Sequence, residues 1–513
     1  MQGDFDFIVV GAGSAGCILA ARLSASARVL LLEAGGEDSS PWIHVPVGYA
    51  KLMGDARYNW LYRTAPEPAL GGRELDQPCG KVIGGTGSIN GMLHVQGQPE
   101  DYDGWRALGN EGWGWSDVRP WFERLQLPVS EPPQRHVLAD AFVDAAAEAG
   151  HPRNDGFNGV TQEGAGYYKL NTRHGRRATS AVAYLRPARK SPNLAVATNA
   201  LATRIRIENG AAAGIEYRQD GVLRQARARR EVIVACGSFN SPQLLQVSGI
   251  GDGARLQALG IPVVRDLPAV GENLQNHYRA SIVVRCAQPV THNDDMRSLW
   301  RRAAMGLRYV LFRDGPLAAG TYAGGFFRSM AGIARPDMQV TFWTYSVDKR
   351  GADGVVLHPF SGFTANAVLL RPESRGHVRA RSGDTGEAPE ILYNHLAEDY
   401  DRRTLVAGIR VVRGIFSRPA LAPFHAGELA PGPDCTSDEA LLAYAREKGN
   451  SVYHPVGTCA MGAVVDARLR VHGVGRLRVA DASVMPRITS GNSNTPTAMI
   501  AERAADWILK DAA

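Results

Sequence analysis

A mostly apolar run over residues 5–10, interrupted by Asp6, opens the chain, followed by glycines, a stretch of small residues over 14–24 and a second run over 28–33 whose apolar centre lies between Arg28 and Glu33. Runs of this length without polar alternation fit strands buried on both faces, and the small residues between them have helical spacing. The pattern predicts a strand, a helix and a second parallel strand, in that order. Residues 42–62 are irregular and aromatic, while 80–97 are rich in glycine and polar side chains, which predicts a long structured loop.

Helical spacing returns over 137–150, and alternation with basic residues predicts strands over 194–206 and 214–227. Another buried strand is expected over 231–235, then a short helix over 241–247 closed by Ser248-Gly249-Ile250-Gly251. From residue 281 onward the chain favours strands rich in Phe, Val, Trp and Tyr, for example 338–347 and 362–370. The last stretch resumes the opening style, with a strand over 476–480 and a helix over 497–509.

At 513 residues the chain exceeds one ordinary core, which predicts two domains. Hydrophobic residues make up 44% and charged residues 21%, a balance that excludes a disordered or membrane-spanning chain. The 57 Lys and Arg exceed the 51 Asp and Glu by a net charge of +6, too dilute over this length to point to nucleic acid. Cys17, Cys79, Cys236, Cys286, Cys435 and Cys459 are scattered without a C-x-x-C pair, so neither a metal site nor a disulfide framework is expected. Residues 1–6 carry no basic segment and the run after them meets glycines at once; neither a signal peptide nor a membrane span is expected, and the expected location is the cytoplasm.

Gly11-Ala12-Gly13-Ser14-Ala15-Gly16 falls between the first strand and helix. In that context glycines permit a tight turn, close approach of a pyrophosphate and close helix packing, while the helix N-terminus faces the phosphates. Glu33 ends the second strand, where its carboxylate can accept hydrogen bonds from both hydroxyls of an adenosine ribose. These features define a dinucleotide site and leave FAD and a nicotinamide cofactor both open.

Gly80-Lys81-Val82-Ile83-Gly84-Gly85-Thr86-Gly87-Ser88-Ile89-Asn90-Gly91-Met92 resembles the first signature of the glucose–methanol–choline oxidoreductase family. Gly237-Ser238-Phe239-Asn240-Ser241-Pro242-Gln243-Leu244-Leu245 is similar to the second. Val452-Tyr453-His454-Pro455-Val456-Gly457-Thr458-Cys459, Val479-Ala480-Asp481-Ala482-Ser483-Val484-Met485-Pro486 and Gly491-Asn492-Ser493-Asn494-Thr495-Pro496 complete the pattern in the family's order. The look is closest to bacterial choline and aliphatic-alcohol dehydrogenases.

The resemblance implies an α/β fold of two domains. A Rossmann-like FAD-binding domain would be assembled from residues 1–125, 190–280 and 450–513, and a substrate domain with an antiparallel sheet from 126–189 and 281–449. It implies FAD contacts from Gly11, Gly13, Ser14, Ala15, Gly16, Glu33, Ala34 and Trp60. The loop would add Val82, Gly85, Thr86, Asn90, Gly91, Met92 and Leu93, and the later motifs Ala202, Tyr453, Asp481, Ala482, Asn494 and Thr495. Some relatives link the flavin covalently through a histidine in the first signature; Ile89 stands there and cannot form that bond, so non-covalent FAD is expected.

Alcohol oxidation removes a proton and a hydride from adjacent atoms, so a base must reach the hydroxyl, and histidine titrates near working pH. The resemblance matches His454 to the family's catalytic histidine and Asn492 to its partner. Neutral Asn492 can orient the hydroxyl and donate to a developing alkoxide, but it is no base. His94, His277, His358 and His377 have no such context and read as core or solvated, and Cys459 reads as a packing residue. Phe342-Trp343-Thr344-Tyr345 reads as core in preference to pocket wall. Residues 299–313 are basic and amphipathic, and a helix covering the site entrance is preferred over a peripheral membrane contact.

The expected reaction is oxidation of a primary alcohol to an aldehyde, with hydride passing to flavin N5 and electrons then to oxygen or a quinone-type carrier, a dehydrogenase being favoured over an oxidase. An FAD-containing hydroxynitrile lyase and a non-catalytic flavin-binding protein are the alternatives. No motif encodes which alcohol is used or the oligomeric state.

Overall fold

The computed structural model describes residues 3–320, 322–351 and 354–512; Met1 and Gln2 of the opening segment lie outside them. The first predicted elements form as β1 (Asp4–Val10), α1 (Ser14–Leu23) and β2 (Val29–Leu32). β1 and β2 pair in parallel, with Phe7 opposite Val29 and Val10 opposite Leu32. Strand Val222–Val234 flanks β1 on its other side, and Leu194–Ala197 flanks β2. Leu477–Val479 then joins Val222–Val234 in parallel, so the C-terminal stretch completes the sheet begun at the N-terminus. The runs are apolar because these central strands are buried, with α1 packed against both.

Two differences from the expected strands have local causes. The expected strand over 194–206 is two, Leu194–Ala197 and Ala200–Glu208, which sit at opposite ends of the strand order. The break is at Asn199, in left-handed conformation (φ 53°), which Asn tolerates better than most side chains. The expected strands over 214–227 and 231–235 are parts of one hairpin: Ala211–Gln219 turns at Asp220 (φ 52°) and Gly221 (φ 77°) into Val222–Val234. An Asp-Gly pair is a strong hairpin signal, and the alternation on either side conceals it. The helices differ only at their ends: Val137–Glu148, Gly237–Val247 and Asn494–Ala512.

A second seven-stranded sheet is antiparallel, in the order His425–Ala430, Tyr278–Cys286, Gly362–Leu369, Met338–Trp343, Ala323–Phe327, Gly164–Tyr167, with Asn450–Ser451 joining Tyr278–Cys286. The strand period of two divides its side chains. Tyr278, Ala280, Val340, Phe342, Ala365 and Ala367 enter a core shared with helices Val137–Glu148 and Asp399–Phe416. Arg279, Ser281, Thr341, Trp343 and Asn366 take the other face. Slipping any of these strands by one residue would exchange the two sets.

Packing of α1 on β1 depends on Gly16, where an added Cβ would lie 1.8 Å from the Gly11 carbonyl oxygen. Gly16→Ala should destabilise the protein by about 1–3 kcal/mol, the usual cost of overpacking. Gly104→Ala, in helix Pro99–Ala107 with nothing within 4 Å of its Cβ, should be neutral or stabilising. Thermal midpoints of the two variants, measured side by side, check the pair.

Candidate active site

One cavity runs between the two sheets, lined at one end by Gly11, Gly13, Ser14, Ala15, Glu33 and Ala34 and at the other by Arg279, Trp343, His454 and Asn492. Trp60, Gly85, Thr86, Asn90, Gly91, Met92, Leu93, Ala202, Tyr453, Asp481, Ala482 and Asn494 line it between. Of the residues named from sequence, Gly16, Val82 and Thr495 do not. Gly16 lies beneath the turn, Val82 packs with Ile43, Leu52 and Ile89, and Thr495 is buried with its Oγ1 3.2 Å from His94 Nδ1.

Three helices point their N-termini at this cavity: α1 at Ser14, Gly237–Val247 and Asn494–Ala512. Ser14 Oγ donates to Asn494 Oδ1 at 2.7 Å, joining two of them. Asp481 fixes the third by accepting from the Gly237 amide at 2.8 Å and from Ser241 Oγ at 2.6 Å. Helix N-termini carry unpaired amides and partial positive charge, so their convergence suits an anionic group. The glycine loop closes over the same turn: a Cβ on Gly85 would sit 2.7 Å from Gly13 Cα. At the far end Glu33 Oε2 accepts from the Ala12 amide and Oε1 from the Gly35 amide, each at 2.9 Å. Burial pushes this carboxyl up to about 7, against the pull of those amides. A diol-accepting carboxylate, converging amides and a long enclosed trough fit a dinucleotide such as FAD.

At the other end His454 stands in a hydrogen-bonded line. His277 Nε2 lies 2.9 Å from the Leu370 carbonyl oxygen, which can only accept, so His277 carries its proton on Nε2. Burial lowers His277 to about 4 and keeps it neutral, leaving Nδ1 as an acceptor. His454 Nδ1 lies 3.0 Å from that atom and therefore donates to it. The line thus leaves a lone pair on His454 Nε2, which faces Asn492 Nδ2 at 3.0 Å. Asn492 is itself oriented: its Oδ1 accepts from Gln339 Nε2 at 3.3 Å, so its amide nitrogen is the end that meets the histidine. The His454 backbone amide donates to Asn276 Oδ1 at 2.8 Å. Burial, and secondarily the neighbouring His277, push the His454 imidazole well below its ordinary pKa. A neutral imidazole with one preset lone pair is equipped to accept a proton.

His277, read from sequence as core or solvated, is buried directly behind His454. No local motif marks it, because its role runs through a carbonyl 93 residues away. His94 is buried, His358 Nδ1 contacts Ser346 Oγ, and His377 Nε2 contacts Glu390. Cys459 is buried in the core of the first sheet. The segment 342–345 divides by strand parity: Phe342 is core, while Trp343 lines the cavity with Thr341, Arg279, Tyr49 and Met53. Parity could have separated Trp343 from Phe342; nothing in the sequence ties Tyr49 or Met53 to this site.

A glycine-turned βαβ unit with a terminal carboxylate, joined through one cavity to a buried histidine on a loop beside the second sheet, defines a dinucleotide-dependent oxidoreductase. The chain belongs to the GMC oxidoreductase family, whose N-terminal sequence model matches residues 5–279 and whose C-terminal model matches 372–501. Members of this family bind FAD and act on CH–OH groups. The chain is 40% identical to the alcohol dehydrogenase [acceptor] of Pseudomonas putida over 99% of its own length and 96% of that protein's. It is 41% identical to an oxygen-dependent choline dehydrogenase of Pseudomonas syringae pv. syringae, covering 99% and 94%. Among solved structures it is similar to pyridoxine 4-oxidase from Mesorbium loti, with a TM-score of 0.87, 29% identity and 98% of each chain covered.

Burial lowers the His454 pKa, so if its neutral imidazole is the proton acceptor the acid limb of kcat/KM should lie below pH 6.5. In His277→Ala water enters and the neighbouring ring is lost, so the limb should move upward toward 6.5 while the rate falls. Full pH profiles of both proteins test this, and an unmoved limb would reduce His277 to packing.

Proposed function

We propose that this chain oxidises a primary alcohol to an aldehyde, with His454 Nε2 taking the hydroxyl proton. The observation that carries this reading is the fixed tautomer of His454, whose lone pair opens toward the cavity beside the amide of Asn492. A substrate oxygen entering between them gives its proton to the imidazole and accepts from Asn492 Nδ2 as negative charge grows on it. Bound FAD supplies the two-electron acceptor for the hydride leaving the carbinol carbon. Gln339 keeps the Asn492 amide turned toward the oxygen, and Thr341, Trp343, Tyr49 and Met53 exclude water around the carbon chain. FAD is held without a covalent bond, since Ile89 occupies the linking position of the first signature. The electrons go on to a carrier such as a quinone or to oxygen; relatives of similar identity are named for an acceptor and as oxygen-dependent.

His454→Ala should keep its fold and FAD yet lose about 10²–10⁴-fold in the rate of flavin reduction, the usual range for a general base. Acid precipitation of either protein should release the flavin into the supernatant. Anaerobic stopped-flow bleaching measures the first, and a near wild-type rate would end the assignment.

A further inference from the structure

Helix Leu299–Phe312 is built inside out. Tyr309 is its one buried residue, and the Tyr309 hydroxyl donates to the Gly175 carbonyl oxygen at 3.0 Å. At about 100° per residue Trp300 falls on the face opposite Tyr309, and Leu299, Ala303, Leu307, Val310 and Leu311 gather around it. That face is open: Leu299 is 77% exposed, Trp300 87%, Leu307 60%, Val310 63% and Leu311 61%. Such a stripe is ordinarily turned inward. None of these residues is among those that line the cavity described above.

Arginines border the stripe. Arg301 and Arg308 lie along one margin, while Arg302 falls nearer the Tyr309 side and Arg313, past the helix end, lies over the Tyr309 ring at 5.3 Å; all four are exposed. Asp295 pairs with Arg301 at 3.6 Å and Asp314 with Arg308 at 2.6 Å. Gly175, which anchors the helix from the Tyr309 side, is the tip of a small hairpin that carries Arg173, His174 and Arg176. Met296, 44% exposed on the short helix before it, extends the apolar area. An outward apolar face carrying a Trp and bordered by arginines matches the chemistry of a lipid interface, where acyl chains take the stripe and anionic headgroups take the guanidiniums. No helix among the described residues is long and apolar enough to cross a membrane, so such an element would lie along the surface.

We propose that Leu299–Phe312 docks the protein on the surface of a bilayer containing anionic lipid. The chain beyond the helix passes through the short turn Pro316–Ala318 to Gly320, which lies against the ring of Tyr49, a cavity-lining residue. Docking would therefore set the bilayer beside the route to the site.

Flotation of the FAD-loaded protein through a density gradient with phosphatidylcholine vesicles, or with equimolar phosphatidylcholine and phosphatidylglycerol, tests the proposal. The protein should float with the anionic vesicles about tenfold or more in excess over the neutral ones, and added salt should weaken this. Leu307→Glu combined with Leu311→Glu should abolish flotation and leave flavin reduction by a soluble alcohol unchanged. Failure of the wild-type protein to float, or equal flotation of the double variant, would overturn the proposal. So would sedimentation velocity showing a dimer that the double variant loses in the absence of any lipid binding, since the face would then belong to a second copy.

Discussion

Two backbones touch where side chains would forbid it, and the rest of the site depends on that contact. The loop carrying Gly85 lies on the βα turn at Gly13, and α1 lies on the same turn through Gly16, each with no room for a Cβ. This contact brings the amide-rich start of α1 under the glycine loop, and Ser14 then reaches across to Asn494 to bring in the C-terminal helix. A segment from each end of the chain is thereby held at one trough. The strand Leu477–Val479 reinforces the arrangement by joining the N-terminal sheet itself.

The second sheet contributes through parity. One face of its strands is apolar and closes on two helices; the other holds Arg279, Thr341 and Trp343 toward the cavity. A strand that must satisfy a core on one side can present chemistry on the other at fixed spacing. This is why the histidine, whose loop adjoins the edge pairing of Tyr278 with Ser451, meets a wall whose polar side chains are already oriented.

Much of this was legible in the sequence because it depends on local pattern. β1, α1 and β2 follow from mostly apolar runs and their punctuation, and His454 and Asn492 follow from motifs. The hairpin at Asp220 and Gly221 was also written in the sequence, but regular alternation on both arms masked it. What pattern does not carry is contact between distant segments. His277 acquires its place from Leu370, and Arg279 faces the cavity because Tyr278 beside it is committed to the core. The outward face of Leu299–Phe312 is the same kind of fact: periodicity locates an apolar stripe, and only packing decides which way it turns.

The hydrogen-bonded line behind His454 has a further consequence, because it ends on a main-chain carbonyl. For a proton to travel through His277, that ring would have to gain one at Nδ1 and surrender the one at Nε2 to the Leu370 oxygen, which is no base. The line is an anchor with no exit. On the proposed reaction, a proton taken up at His454 Nε2 has to depart from the same face of the ring on which the substrate oxygen sits, so its release waits until that oxygen has moved away.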